Sequence, residues 1–165
     1  GERGELLLRG PNVMQGYHNN AEDTAQTIDP EGFLHTGDIG YVDSDGDCFI
    51  VDRCKELIKV KGFQVAPAEL EDLLHGHPEV EDCGVVGIEV NGDEAPKAFV
   101  VLKKGKRPTT QLKQEIIAWV AKETAWYKQI REISFVAQIP KSATGKILRR
   151  ELRTLPREAE LPSHL

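Results

Sequence analysis

No apolar run in this 165-residue chain approaches the ~20 residues that a membrane-spanning helix needs. Its first residues do not read as a charged-then-apolar leader, so neither membrane insertion nor secretion is expected. Cysteine is scarce: Cys48, Cys54 and Cys83 are odd in number and form no CxxC pair or Cys/His cluster at zinc spacing. That excludes a disulfide framework and points to a reducing compartment. An excess of basic residues is also missing. Twenty-one Lys and Arg face twenty-seven Asp and Glu, a net charge of -6, so the surface as a whole does not attract nucleic acid and any anion site must be local. The five histidines are scattered; His75 and His77 lie close together but lack a third ligand, and are read as helix-end or surface residues. Internal repeats and low-complexity stretches are absent. No Ser-His-Asp or Cys-His constellation suggests a nucleophile. An initiator methionine is missing too: Gly1-Glu2-Arg3-Gly4 runs at once into the strand-like Glu5-Leu6-Leu7-Leu8-Arg9-Gly10, as in a chain cut from something longer.

What is present reads as an α+β chain. Leu6 to Arg9, Ile39 to Val42 and Cys48 to Val51 are expected strands, and Asn20 caps a short helix from Ala21 to Ile28. This mostly β part should end near Asp52. Glu56 to Val60 and Phe63 to Val65 form a hairpin-like pair turning at Lys61-Gly62, and Pro67 opens a helix with Leu70, Leu73 and Leu74 on one stripe. Strands are expected at 80–90, 98–102 and 133–136. Thr109 to Glu123 is an amphipathic helix with Leu112, Ile116 and Val120 inward, and Arg149, Arg150 and Arg153 decorate a last short helix.

Three segments carry chemistry. Between Asp52 and Pro67 the cations Arg53, Lys55, Lys59 and Lys61 all fall on odd positions, so in an extended strand they share one face while Cys54, Ile58 and Val60 take the other. Gly62 ends the run where backbone can approach a ligand. Such a stripe suits a phosphate-bearing ligand, and it equally suits a strand edge guarded by lysines. In His35-Thr36-Gly37-Asp38, a turn leading into an apolar strand places a carboxylate where it could take vicinal ribose hydroxyls or simply stabilise the turn. In Ile139-Pro140-Lys141-Ser142-Ala143-Thr144-Gly145-Lys146 a loop of small residues delivers Lys146 on a mobile arm just before a helix. It is not a nucleotide P-loop: the first glycine is missing, and Ile147 stands where Ser or Thr would meet magnesium.

Taken with Gly4-Glu5-Leu6 through Gly16-Tyr17, Gly32 to Tyr41, and Tyr127-Lys128, these segments resemble the C-terminal part of adenylate-forming acyl-CoA ligases, the ANL superfamily. The likeness is nearest to the 4-coumarate:CoA ligase group, with beetle luciferases and other acyl-CoA synthetases as relatives. It implies two domains: residues 1–52 as the β-rich end of a large adenylating domain, and 53–165 as a small C-terminal α+β domain built of a β-hairpin, a three-stranded sheet and packed helices. It implies that Asp38 holds the ribose hydroxyls of ATP or AMP with Arg53 beside it, and that Lys55 is a hinge. Lys59 would lie near the acyl-adenylate during thioester formation, Lys61 and Gly62 would meet coenzyme A, and Gln64 would neighbour the active site. Lys146 would bridge the carboxylate substrate and the α-phosphate during adenylation.

The same resemblance implies ATP, Mg2+ and coenzyme A as cosubstrates and a small carboxylic acid, aromatic or medium-to-long-chain, as substrate. The missing N-terminal domain would be the partner, no residue here would ligate a metal, and the portion alone would be inactive. A carrier-loading adenylation domain, a luciferase-like oxygenase and a non-catalytic binding module are the competing readings. Ser163-His164-Leu165 resembles the Ser-Lys-Leu peroxisomal address, which implies a peroxisomal parent enzyme, with the cytoplasm as the other location.

Overall fold

A computed structural model describes residues 2–155. Contacts divide the chain into two units, Gly1–Lys55 and Glu56–Leu165. In the first, β1 (Gly4–Leu8), β2 (Leu34–Val42) and β3 (Cys48–Arg53) form an antiparallel sheet in that order, and α1 (Ala21–Thr27) connects β1 to β2. Local chemistry sets the joints. The Asn20 side chain accepts from the Asp23 amide as the helix cap, and the Asp43 carboxylate accepts from the Asp45 and Asp47 amides to close the β2–β3 turn. Gly40 must be glycine, because a Cβ there would sit 2.6 Å from the Phe49 carbonyl oxygen. It is also the only buried residue among those described in this unit, whereas Leu7, Leu8, Val42, Phe49 and Ile50 are exposed. This sheet therefore has apolar surface to cover and no core of its own.

The second unit is built differently. β4 (Ile58–Val60) and β5 (Phe63–Val65) make a hairpin, followed by α2 (Pro67–His75), β6 (Val80–Val90), β7 (Asp93–Leu102), α3 (Thr110–Glu123), a 3-10 turn (Trp126–Lys128), β8 (Glu132–Phe135) and α4 (Arg149–Thr154). The sheet order is β6-β7-β8, with β6–β7 antiparallel and β7–β8 parallel, so the segment containing α3 serves as the crossover. Asn91 and Gly92, at φ 54° and 81°, form the two-residue turn between β6 and β7. β7 consequently starts at Asp93, earlier than the apolar pattern alone predicts.

Period-two alternation sorts the sheet's side chains to two faces. Val85, Ala98 and Val100 pack with Ile58, Val65, Leu70, Leu74, Ile116, Val120 and Ile133, where α2, α3 and the hairpin cover one face. Val86 and Phe99 point the other way and pack with Val136, Ile139 and Leu152, with Ile147 against them, so the 140s segment and α4 cover the opposite face. Pro67 stands at the start of α2 and the Thr109 hydroxyl accepts from the Leu112 amide, which places both helix starts where the sequence expects them. Among the described residues no helix is long and apolar enough to cross a membrane.

Two expectations need correction. Residues 53–61 are not one extended strand: β3 ends at Arg53, residues 54–56 turn, and β4 begins at Ile58, so the four odd-numbered cations are split between two units. Likewise His35-Thr36-Gly37-Asp38 lies inside β2, and the local irregularity comes from Gly37 at φ 71°.

Candidate functional site

In the first unit the register of β2 and β3 sets Asp38 directly opposite Arg53, and Arg53 Nε lies 3.0 Å from Asp38 Oδ1. Gly37 makes this geometry possible. Its carbonyl accepts from the Cys54 amide at 2.8 Å, and its own amide donates to the Glu5 carboxylate. Glu5 in turn meets His35 Nδ1 at 3.0 Å, and that hydrogen bond holds its carboxyl below the usual carboxylate range. The Thr36 hydroxyl donates to the Leu6 carbonyl and accepts from the Asp38 amide. The arrangement is a partly exposed carboxylate and guanidinium, side by side on rigid strands, which together can accept from and donate to a vicinal diol. Lys55, exposed in the turn after β3, is the last residue of this unit.

In the second unit Lys59 and Gln64 face each other across β4–β5, and Lys61-Gly62 is the turn between the strands. Both turn residues are left-handed, at φ 46° and 84°. A Cβ on Gly62 would touch nothing within 4 Å, so glycine serves the backbone conformation and keeps the tip bare. Aromatic residues that sequence reasoning missed flank this tip. Phe63 stacks on Tyr127 at 4.4 Å, Trp126 meets Phe63 edge-on, and Lys61 Nζ lies 5.9 Å from the Trp126 ring centroid. Phe63 is 46% and Trp126 51% exposed.

Lys146 sits elsewhere in the same unit, on a small bridged turn. Lys141 and Ile147 pair, the Ser142 amide donates to the Lys146 carbonyl at 2.8 Å, and the Lys146 amide donates to the Ser142 hydroxyl at 3.1 Å. Lys141 Nζ lies 2.7 Å from Asp82 at the start of β6. The expected mobile arm is thus a pinned turn: the backbone of Lys146 is fixed to the body and only its side chain projects. Among the described residues, neither the Lys59 nor the Lys146 side-chain amine has a hydrogen-bond or ion-pair partner.

The two cationic tips do not converge. The β4–β5 hairpin packs through Ile58 at Gly87, on one face of the sheet, and its amides reach Asp93 and Glu94 at the far end of β6. The Lys146 turn packs through Ile147 at Gly84, on the other face, and reaches Asp82 at the near end. Asp82 and Val90, which pairs with Asp93, are eight residues apart, or about 26 Å along a strand. One rigid unit therefore presents two separate cationic surfaces.

Sequence reasoning also missed the group that fixes the second of them. Arg149, three residues after Lys146, donates from Nη2 to both Glu71 oxygens at 2.9 and 2.8 Å, and its Nη1 lies 2.7 Å from Glu56 Oε2. Glu71, 7% exposed, also accepts from the Val85 amide. An acidic residue inside the apolar stripe of α2 was the available signal. Two further ion pairs brace the unit: the buried Lys97 with Glu132 at 2.6 Å, and Lys128 with Glu69 at 2.5 Å.

The cysteines are not catalytic candidates. Cys83 is fully buried, and burial, with Glu71 and Asp82 nearby, pushes its thiol up to about 12 from 9.0. A thiol reagent near pH 8 is expected to modify the exposed Cys48 in the native chain and Cys83 only after unfolding, as peptide mass mapping would show. Because the folded state holds this proton more tightly, the associated stability is whole below pH 9.0 and is lost as pH rises through about 12. Cys83 labelling at native rates equal to Cys48 would contradict this.

Residues 69–146 match the AMP-binding enzyme C-terminal domain, a span that ends on Lys146. A rice protein named 4-coumarate--CoA ligase-like 9 is 54% identical over 91% of the chain and 27% of its own length. The chain superposes on ATP-bound MatB from Rhodopseudomonas palustris with a TM-score of 0.85 at 30% identity, covering 93% of the chain and 30% of MatB. It superposes on the anthranilate CoA ligase AuaEII, solved with anthranoyl-AMP, with a TM-score of 0.79 at 39% identity, covering 93% and 30%. By these matches the chain is similar to the adenylate-forming enzymes. It corresponds to the C-terminal part of these ligases and spans about a quarter of the rice relative, and its α+β architecture is that of its structural neighbours. Asp38 and Arg53 precede the matched domain, while Lys146 closes it.

Proposed function

We propose that the chain is the C-terminal portion of a ligase that activates a carboxylic acid with ATP and passes the acyl group to coenzyme A. The observation that carries this reading is the pair of cationic tips on opposite faces of one sheet, the hairpin packing at Gly87 on one face and the Lys146 turn at Gly84 on the other. Two half-reactions need charge in one cleft in turn, first at the α-phosphorus and then at the acyl carbon, and one unit can bring only one tip at a time to a given cleft. In the first step a carboxylate oxygen attacks the α-phosphorus and pyrophosphate leaves. Two anions must approach, and Lys146, with its free amine, offsets their repulsion. In the second step the coenzyme thiolate attacks the acyl carbon and AMP leaves with the bonding electron pair. Lys59, with Gln64 beside it, then faces the adenylate, and the bare Lys61-Gly62 turn admits the coenzyme.

Asp38 and Arg53 hold the ribose in both steps. Residues up to Lys55 belong to the large domain, and Lys55, where the contacts divide, is the hinge. Among the described residues no group of three or more His, Cys, Asp or Glu is placed to hold a metal ion, and the proposal assigns the magnesium ion to the nucleotide's phosphates. Names of relatives support an aromatic acid as substrate: 4-coumarate for the plant enzymes and anthranilate for AuaEII. The peroxisomal address at Ser163-His164-Leu165 lies outside the described residues and is retained as a proposal for the full-length enzyme.

The test is acid-dependent AMP release by the full-length protein, with coumarate, anthranilate and fatty acids offered in parallel. AMP and acyl-CoA appearing together with one acid class is the expected result. AMP release without acyl-CoA would favour an oxygenase or carrier-loading reaction, and no acid-dependent AMP release would overturn the ligase reading.

A further inference from the structure

β4 is a three-residue strand with β5 along one edge, and the amides of Lys59 and Lys61 point away from β5. Such a short hairpin is marginal alone, and Lys61 at φ 46° adds strain that a non-glycine residue resists. No third strand covers the open edge. Two carboxylates do instead: the Lys59 amide donates to Glu94 Oε2 at 2.7 Å, and the Lys61 amide donates to both Asp93 oxygens at 3.1 and 3.0 Å. These acceptors stand at the first two positions of β7, and the Asn91-Gly92 turn with the β6–β7 register places them there. Asp93 Oδ1 also accepts from the Glu94 amide at 3.0 Å, which fixes its rotamer. Among the described residues the carboxylates bind only backbone, so they leave the side chains of Lys59 and Lys61 unengaged by the clamp.

We propose that Asp93 and Glu94 are positioning residues for coenzyme A transfer, a clamp on the amides either side of Val60 that holds Lys59 and the Lys61-Gly62 turn in their working geometry. This rests on the ligase reading given above. Neither residue belongs to the buried core, so replacing them opens no cavity. The clamp acts at the hairpin alone; the Lys146 turn hangs from the other end of β6 and does not depend on it. Loss of the clamp therefore separates the two half-reactions, which general destabilisation would not do. An acceptor oxygen is what the amides need, so asparagine and glutamine should serve where alanine cannot.

In the full-length enzyme, Asp93→Ala and Glu94→Ala are each expected to slow thioester formation from preformed acyl-adenylate by about tenfold or more. Acid-dependent pyrophosphate–ATP exchange should stay within about twofold of the parent. Asp93→Asn and Glu94→Gln should restore most of the thioester rate. Hydrogen exchange across residues 58–65 should quicken in the alanine variants and not in the amide variants. Equal losses in both half-reactions, or thioester rates unchanged despite lost protection, would overturn the proposal. If the parent enzyme forms no acyl-CoA with any acid, the ligase reading has failed separately. The clamp is then decided by hydrogen exchange alone, and unchanged exchange in the alanine variants refutes it.

Discussion

Replacing Lys146 with alanine in the full-length enzyme is expected to slow acyl-adenylate formation by about 10²- to 10³-fold, the usual scale for removing one preorganised charge from a developing transition state. Thioester formation from preformed acyl-adenylate should change by no more than about twofold. The asymmetry follows from the architecture. The Lys146 amine has no partner in the unit, so its removal breaks no ion pair, and the turn that carries it is held by Ser142, Gly145 and the Lys141–Ile147 bridge rather than by the side chain. Stability and the β4–β5 face should both survive the change. Isolated pyrophosphate–ATP exchange and single-turnover acyl transfer measure the two steps separately, and comparable losses in both would show that one cationic surface serves the whole reaction.

Much of this was legible from residues alone, and the limits are instructive. Helix starts at Asn20, Pro67 and Thr109 depend on residues within a single turn, so they could be read directly. The apolar runs in β6 and β7 marked both strands, but that both faces of their sheet are covered rests on the hairpin, helices and 140s segment packing from either side, which no local pattern states. The cationic run misled for a physical reason: alternation assigns a face only while the backbone remains extended, and the turn at 54–56 interrupts it. Lys59 and Lys61 nevertheless share the hairpin, since Ile58 and Val60 are the buried partners that parity predicted. What could not be read is pairing across distance. Asp38 beside Arg53 came from the family resemblance and not from local pattern, since strand register makes the pair, and Arg149 meets Glu71 across 78 positions of sequence. Nor could local pattern separate the pinned turn of Lys146 from a loose arm, because its hydrogen bonds arise from a bridge between loop ends.

The second large effect is expected at Arg149. Arg149→Ala should destabilise the second unit by about 3–5 kcal/mol, because it leaves the buried Glu71 carboxylate without its guanidinium. Trp119 and Trp126, the only tryptophans of the chain, both lie in that unit and report its unfolding. A loss of that size lowers the urea midpoint by roughly 1 M or more for a domain of this size. Glu56 loses its neighbour as well, which ties the stability of α4 to the first residue beyond the proposed hinge. A buried pair costs much to break and less to replace, so Glu71→Leu combined with Arg149→Met should be milder than Arg149→Ala. Recovery should stop short of the parent, since the Val85 amide loses the acceptor that Glu71 provides. A midpoint for Arg149→Ala within about 0.3 M of the parent would mean that α4 is held by Leu152 and Ile147 packing alone. The Lys146 turn would then owe its placement to apolar burial, and the charged network at its base would be incidental.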